Sequence, residues 1–163
     1  MVAIRRRAEQ FLPVTLSQTL MELRQIQHNT PEYARVVALR DRVLRAPLGL
    51  AFTPEQLAEE ADDIHLACFE GETPIACLVL TPVSPQVFKM RQVAVAPERQ
   101  GEGLGRKIVE YSETVARAAG GEQITLHARE TVVPFYLRIG YAVVGEPFEE
   151  VTLPHREMQK WLR

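Results

Sequence analysis

The stretch "RQVAVAPERQGEGLGRK", residues 91–107, decides how this sequence is interpreted. An apolar run with the composition of a strand stops at Pro97, and Gly101, Gly103 and Gly105 then lead into a segment with helical periodicity. Glycine at this density indicates that a partner comes very close to the main chain. Because basic side chains flank the glycines on both sides, that partner is expected to carry negative charge.

Two nucleotide-binding motifs fit the glycines poorly. A Walker phosphate loop needs a lysine followed by serine or threonine, but here Gly105 is followed by Arg106, Lys107 and Ile108. A dinucleotide fingerprint needs its third glycine at the position of Arg106, and Pro97 interrupts the turn from strand to helix. Neither magnesium nucleotide binding nor a nicotinamide cofactor is therefore favoured.

A third interpretation is a cradle of main-chain amides that holds a diphosphate at a helix start without a metal. Each helix-end contact contributes only ~0.3–1 kcal/mol, so several donors must converge. The alternative is a glycine-rich turn that binds nothing, and the regular spacing favours the phosphate site over it. The residues of this cradle are the amides of Gly101, Gly103, Leu104 and Gly105, with positive charge from Arg99, Arg106 or Lys107.

Composition limits the classes of function. The chain has 163 residues and a formal net charge of −2, which fits one globular domain and gives no general attraction to nucleic acid. No run approaches the ~20 apolar residues of a membrane span. Cys68 and Cys77 fit small buried thiols better than a disulfide between neighbouring strands, which favours the cytoplasm. No metal site is predicted.

Periodicity and turn residues predict a mixed α/β fold. Its order is strand, two helices, three strands, helix, strand, helix and two strands, in a sheet of about six to seven strands. Residues 1–20 are interpreted as an extension, with a short external helix as one option, and residues 21–163 as a single domain. The predicted strands cover residues 21–27, 63–70, 74–83, 86–95, 123–129, 141–148 and 150–161.

Helix boundaries carry the clearest local signals. Thr30 and Thr53, each followed by proline, predict two helix starts, and the first helix is expected to run to about residue 45. Gly120 and Gly121 are expected to close the central helix as left-handed caps, and Gly140 a later, short one. The buried stripe of the central helix is predicted to be Leu104, Ile108, Tyr111, Val115 and Ala119.

Two of these segments together resemble the GCN5-related N-acetyltransferase (GNAT) family. The residues "VAVAPERQGEGLGRKIVE" resemble its cofactor motif Q/R-x-x-G-x-G/A, which Gln100, Gly103 and Gly105 fill. The residues "PFYLRIGY" resemble its later helix, in which a tyrosine precedes a glycine and an aromatic residue. The similarity in element order extends over residues 21–161.

The resemblance implies a function and several site residues. It implies acetyl-CoA as the donor, bound beside a strand that splays from its neighbour at a bulge, and a primary amine of a small molecule or peptide as the acceptor. Val93 would offer its amide to the thioester carbonyl, with Ala94 and Val95 along the pantetheine arm. Tyr136 would be the general acid, since a phenol of pKa ~10 can protonate a thiolate of pKa ~8.5. The alternative is that Tyr136 is a core aromatic.

The general base departs from the family pattern. Many members carry a glutamate on the strand before the glycine loop, where this chain has Lys89 and Arg91. Strand alternation predicts that Lys89, Arg91, Val93 and Val95 share one face. With Thr125, His127 and Arg129 on the next strand they would form a basic pocket. His127 is then a candidate base acting through water, and Arg91 or Arg129 a candidate clamp for an acceptor carboxylate; a solvated strand face with a hydrogen-bonded histidine is the alternative.

A second class of function stays open at this point. A non-catalytic domain that keeps the acetyl-CoA cradle would act as a sensor or scaffold. The resemblance also suggests a homodimer in which the last strand pairs across the interface.

Overall fold

A computed structural model describes residues 12–16 and 20–163. Its strands are β1 (Val14–Leu16), β2 (Met21–Ile26), β3 (Ile64–Glu70), β4 (Thr73–Pro82), β5 (Val87–Val95), β6 (Gln123–Arg129), β7 (Ala142–Glu150) and β8 (Leu153–Trp161). Its α-helices are α1 (Pro31–Arg40), α2 (Pro54–Ala58), α3 (Leu104–Ala118) and α4 (Val133–Arg138).

All of these strands join one mixed sheet in the order β1-β2-β3-β4-β5-β6-β8-β7. The pairing of β5 with β6 is parallel and the other neighbours are antiparallel. The α/β class and the element order are confirmed, but the sheet has eight strands rather than six or seven. The additional strand is β1, which pairs with β2 where a helix was one option; residues 1–11 and 17–19 of the predicted extension lie outside the described residues.

The last strand does not lie at an edge of the sheet. β8 is bonded to β6 on one side and to β7 on the other, so its backbone has no side open to a second chain. The predicted dimer contact through the last strand is therefore wrong. A homodimer formed by another surface stays a prediction.

The two threonine caps form as predicted. Thr30 accepts a hydrogen bond from the amide of Tyr33 at 3.2 Å, and Thr53 forms a reciprocal capping box with Gln56. The α-helical part of the first helix, α1, ends at Arg40, earlier than predicted. A π-helical turn, Asp41–Arg45, continues the helix to the predicted end. A short 3₁₀ turn, Ala46–Leu48, follows.

Two apolar clusters pack on opposite faces of the sheet. One lies under α3 and includes Phe88 and Met90, and the other lies under α1 and includes Phe69 and Ala94. Cys68 belongs to the first cluster and Cys77 to the second, so the two thiols face away from each other. Both are buried and unbonded, which confirms the interpretation as thiols.

The central helix buries the predicted stripe, since all five of its residues are at most 5% exposed. Gly120 takes the predicted left-handed conformation with φ 91°. Gly121 does not, and the prediction for it is wrong. A Cβ at Gly121 would lie 2.8 Å from the carbonyl oxygen of Ala116 and 2.9 Å from the Phe88 ring, so this glycine provides space.

A β-bulge in β5 changes which side chains share a face. Ala94 pairs with Cys77 and Arg91 with Val79, so Gln92 and Val93 together oppose one residue of β4, and Gln92 has φ 57°. Before the bulge Phe88 and Met90 face α3; after it Ala94 faces α1. The predicted common face is therefore wrong: Lys89 and Arg91 face the α1 side, whereas Val93 and Val95 pack on the α3 side.

No helix in the described part of the chain has the length and apolar character needed to cross a membrane.

Candidate active site

The main cleft lies where β5 and β6 separate. Their parallel pairing ends at Met90 and Leu126, and the two strands diverge beyond this point. The gap opens into a cleft of about 570 Å³. Its walls come from β5, β6, α4, the turn before α2 and the β7–β8 hairpin, so the splayed strand implied by the resemblance is present.

Nine of the predicted site residues line this one cleft. They are Arg91, Val93, Ala94, Val95, Gln100, Gly105, His127, Arg129 and Tyr136. The remaining five, Arg99, Gly101, Gly103, Leu104 and Arg106, lie in or beside the glycine segment between Gln100 and the first turn of α3.

The glycine segment leaves the start of α3 bare. Gly101 and Gly103 have φ of 86° and 78°, and a Cβ on either would meet open space. Gly103 is the N-cap residue and provides no side-chain cap, so the first amides of the helix keep their donor capacity. Gly105 has a different role, because its Cβ would lie 3.3 Å from the ring of Phe135 on α4.

The flanking arginines are held by carboxylates. Arg99 pairs with Glu70 at 2.9 Å and with Glu102 at 2.8 Å, and hydrogen bonds from Arg99 hold the pKa of Glu102 below its ordinary value. Arg106 pairs with Glu110 at 2.7 Å, one turn along α3. Both guanidinium groups would therefore have to exchange partners in order to bind a phosphate.

Tyr136 lies at the base of the cleft and is 6% exposed. Its ring contacts Phe135 and Tyr141 at centroid distances of 5.0 and 5.6 Å. Burial raises the pKa of the phenol above its ordinary value, so the hydroxyl is protonated at neutral pH. It is thus a packed aromatic residue that also lines the cleft.

The two candidate clamps have different partners. Arg91 donates to the Thr81 hydroxyl at 3.3 Å and lies 3.9 Å from the Asp63 carboxylate. Burial raises the pKa of Asp63 to about 6, against the lowering effects of Thr81 and Arg91. Arg129 donates to the carbonyl of Leu44 in the turn after α1, at 3.3 Å.

A carboxylate that the sequence interpretation missed enters the cleft from the β7–β8 hairpin. Glu150 lines the cleft, with Oε1 3.0 Å from Nδ1 of His127 and Oε2 3.6 Å from Nε2 of His155. The sequence placed Glu150 in the last strand, whereas it ends β7, and the turn falls at Val151 and Thr152. That turn contains neither glycine nor asparagine, so no local signal marked it.

Comparison with known proteins identifies the family. Residues 47–162 match the family model of the acetyltransferase (GNAT) domain. The uncharacterized N-acetyltransferase YjcF of Bacillus subtilis is 28% identical over 108 residues, which cover 63% of this chain and 76% of that protein. The chain therefore belongs to the GNAT acetyltransferase family, and the predicted enzyme class, N-acetyltransferase, is confirmed.

Solved structures show the same fold. An acyl-CoA N-acyltransferase from Pseudomonas aeruginosa superposes with a TM-score of 0.72 at 22% identity, over 86% of this chain and 99% of that chain. An aminoglycoside 6'-N-acetyltransferase, solved in complex with coenzyme A, superposes with a TM-score of 0.74 at 17% identity, over 86% of this chain and 97% of that chain.

Proposed function

We propose that this protein transfers the acetyl group of acetyl-CoA to a primary amine of a small molecule or peptide, by direct attack of the amine in the β5–β6 cleft. Residues 21–163 form the acetyltransferase domain in this proposal, and residues 1–20 precede it as an extension. The main support is that three features lie along one cleft. They are the uncapped start of α3, the stretch of β5 at Val93 that is unpaired with β4, and the buried phenol of Tyr136.

The glycine segment fits the diphosphate of coenzyme A. Amides of residues 101–106 at a helix N-terminus attract an anion through both hydrogen bonds and the helix dipole. Gly101 and Gly103 are left-handed and have no side chain, so the space beside their main chain is free for the ligand. Gln100 donates from its side chain to the Val95 carbonyl at 3.4 Å, which ties this segment to the end of β5.

Val93 is the proposed donor to the thioester carbonyl. Its position in the bulge has no partner in the register of β4, and the pairing with β6 has already ended. A main-chain N–H that is fixed in a dry site stabilises a developing oxyanion, and loss of one such donor in other enzymes costs ~10²–10³ in rate. Ala94 and Val95 continue the wall along which the pantetheine arm would lie.

Tyr136 is the proposed general acid. The amine nitrogen forms the new bond to the carbonyl carbon while the carbon–sulfur bond breaks, and the departing thiolate takes a proton from the phenol. Because burial keeps this phenol protonated at neutral pH, the acid is in its donating form before the reaction begins.

The acceptor proposed here is an amine that also carries a carboxylate. Arg45, Arg91 and Arg129 line the cleft, and in the described part of the chain one carboxylate, that of Glu150, lines it with them. Guanidinium groups recognise carboxylates in a bidentate manner. The same charges disfavour a polycationic acceptor such as an aminoglycoside, the acceptor named for one of the structural neighbours.

Two measurements test the proposal. Calorimetry with coenzyme A is expected to show binding that Gly103→Val abolishes, whereas Gly71→Val leaves it unchanged. Gly71 is the matched control, because it is also left-handed, also meets open space and lies in the β3–β4 turn. No binding by the wild-type protein, or equal effects of the two variants, would contradict the cofactor site.

Catalysis is tested by thiol release from acetyl-CoA with L-glutamate, glycylglycine, n-butylamine and kanamycin as acceptors. The carboxylate-bearing amines are expected to react fastest, and Tyr136→Phe is expected to lower kcat by about 10²-fold with unchanged coenzyme A binding. Tight binding without turnover of any amine would instead support the non-catalytic sensor or scaffold.

A further inference from the structure

The cleft has an acceptor side built from side chains, and this side contains one carboxylate. Beyond the bulge, β5 offers only apolar side chains, and before it Lys89 and Arg91 are cationic. Among the described residues that line the cleft, Glu150 is the only carboxylate. The stretch of β5 where many family members carry a glutamate therefore has no acidic residue here. The carboxylate of the cleft comes instead from Glu150 of β7.

Glu150 is bonded to a histidine rather than directed alone into the cleft. Its Oε1 lies 3.0 Å from Nδ1 of His127, and the His127 ring packs edge-on against Phe148 with centroids 4.8 Å apart. The ring is therefore fixed from two directions by residues of β7. The side chain of His127 remains 28% exposed on the cleft side of β6.

The hydrogen bond determines the tautomer of His127. Burial acts to raise the pKa of Glu150, but the hydrogen bond from His127 and the nearby cationic groups hold it below its ordinary value, so the carboxylate is ionised. An ionised carboxylate only accepts hydrogen bonds, whereas the ammonium of Lys89 only donates, and the two compete for Nδ1 of His127. Glu150 is the nearer partner, at 3.0 Å against 3.5 Å for Lys89, so we assign the proton to Nδ1. The other nitrogen, Nε2, then has a lone pair and can accept a proton.

We propose that His127 is the base that takes the first proton from the acceptor amine, and that Glu150 positions it by fixing the ring and its tautomer. The inference rests on the proposed acetyl transfer. The ammonium gives one proton to Nε2, the neutral nitrogen attacks the thioester carbonyl carbon, and the carbon–sulfur bond breaks. The second nitrogen proton is lost as the amide forms, and it balances the proton that Tyr136 gives to sulfur.

This base gives the ammonium proton of the acceptor a local acceptor, because the amine must lose that proton before it attacks. An alkyl amine of pKa ~10.4 is almost wholly charged at pH 7, and its neutral form lies ~4.6 kcal/mol higher. The histidine–carboxylate pair accepts the proton and keeps the resulting imidazolium beside a negative charge, which is the arrangement used by oriented histidine bases in other enzymes.

Other charged groups lie near His127. Lys89 on β5 has its Nζ 3.5 Å from Nδ1 of His127. The remaining ones come from β5, β6 and β8 and are Arg91, Arg129, His155 and Glu157, the last paired with His127 across the strands. Because all of them are retained in the variants below, differences between variants report on the pair itself.

The test compares the wild type with His127→Gln, Glu150→Ala and the double variant, using the fastest acceptor of the panel from pH 6.5 to 9.5. At pH 7, His127→Gln is expected to lower kcat/KM by about 10²-fold or more and Glu150→Ala by about 10-fold. Both defects should shrink by at least about tenfold at pH 9.5, where more of the amine is already neutral. The double variant should be no slower than His127→Gln, because the two residues act as a unit.

The control and a second readout separate this role from a structural one. Glu149→Ala removes the neighbouring charge from β7 at an exposed site outside the cleft and should change neither rate nor pH profile. Nitrogen NMR of the His127 ring should show the Nδ1–H tautomer in the wild type and a mixture in Glu150→Ala. Defects that are constant across pH, or an unchanged tautomer, would overturn the proposal while coenzyme A binding and turnover persist. Absence of wild-type turnover would instead remove the acetyl transfer, and the base with it.

Discussion

The buried carboxylate of Asp63 lies beside Arg91, and its ionisation is predicted to lower the stability of the fold. Its side chain is 8% exposed, and burial raises its pKa from 3.8 to about 6. The folded protein therefore binds this proton more tightly than the unfolded chain does. The contribution of Asp63 to the free energy of unfolding is therefore fully present below about pH 4, where the carboxyl is protonated in both states. This contribution is lost as the pH rises through about 6. The full difference corresponds to about 3 kcal/mol.

Asp63→Asn mimics the protonated carboxyl at every pH. Relative to the wild type, we expect it to be more stable by about 0.5 kcal/mol at pH 4 and by about 3 kcal/mol at pH 7.5, as measured by urea unfolding. Asp62→Asn, which removes a charge of the same sign from the exposed neighbouring residue, is the matched control. The variant should also raise KM for a carboxylate-bearing acceptor, because Arg91 loses an anionic partner that orients it. A stability difference that does not change with pH, or a less stable variant at pH 7.5, would refute the reasoning.

Three further changes have defined outcomes. Glu102→Gln removes an anion from the glycine segment and should tighten coenzyme A binding several-fold by calorimetry at low salt, with the gain lost near 1 M salt. Arg40→Met leaves the buried Glu60 carboxylate without its bidentate partner and should lower the free energy of unfolding by about 3–5 kcal/mol, whereas adding Glu60→Met should restore most of it. Val151→Asn with Thr152→Gly relieves two left-handed residues, with φ of 51° and 62°, and should raise stability by about 1–2 kcal/mol in thermal unfolding.

Features with a local cause were predictable from the sequence. Thr30 and Thr53 cap helices because their own hydroxyl groups accept amides within the next three residues. Gly71 closes a hairpin for a similarly local reason, since it adopts φ 59° between two apolar runs. The glycine segment before α3 belongs to the same group.

Features decided by pairing between distant segments were not predictable. The apolar positions change phase from Phe88 and Met90 to Val93 and Val95, but the register of β5 against β4 was needed to place the bulge at Gln92. The reach of Glu150 to His127 depends on a hairpin turn at Val151 and Thr152, a pair with no preference for left-handed backbone. The carboxylate of the acceptor side could not be located until the register of β7 and β8 was known.

The bulge is what separates the two halves of the site. It turns Val93 and Val95 toward the face that carries α3, where the glycine segment and Tyr136 also lie. Lys89 and Arg91 stay on the α1 face, and β6 provides His127 on that same side. The donor would thus be held mainly by main-chain groups, while the acceptor would be selected by side chains on the opposite face. In this arrangement Glu150 reaches the acceptor side from β7, while Lys89 and Arg91 of β5 are cationic and the cofactor half relies on main-chain groups beyond the bulge.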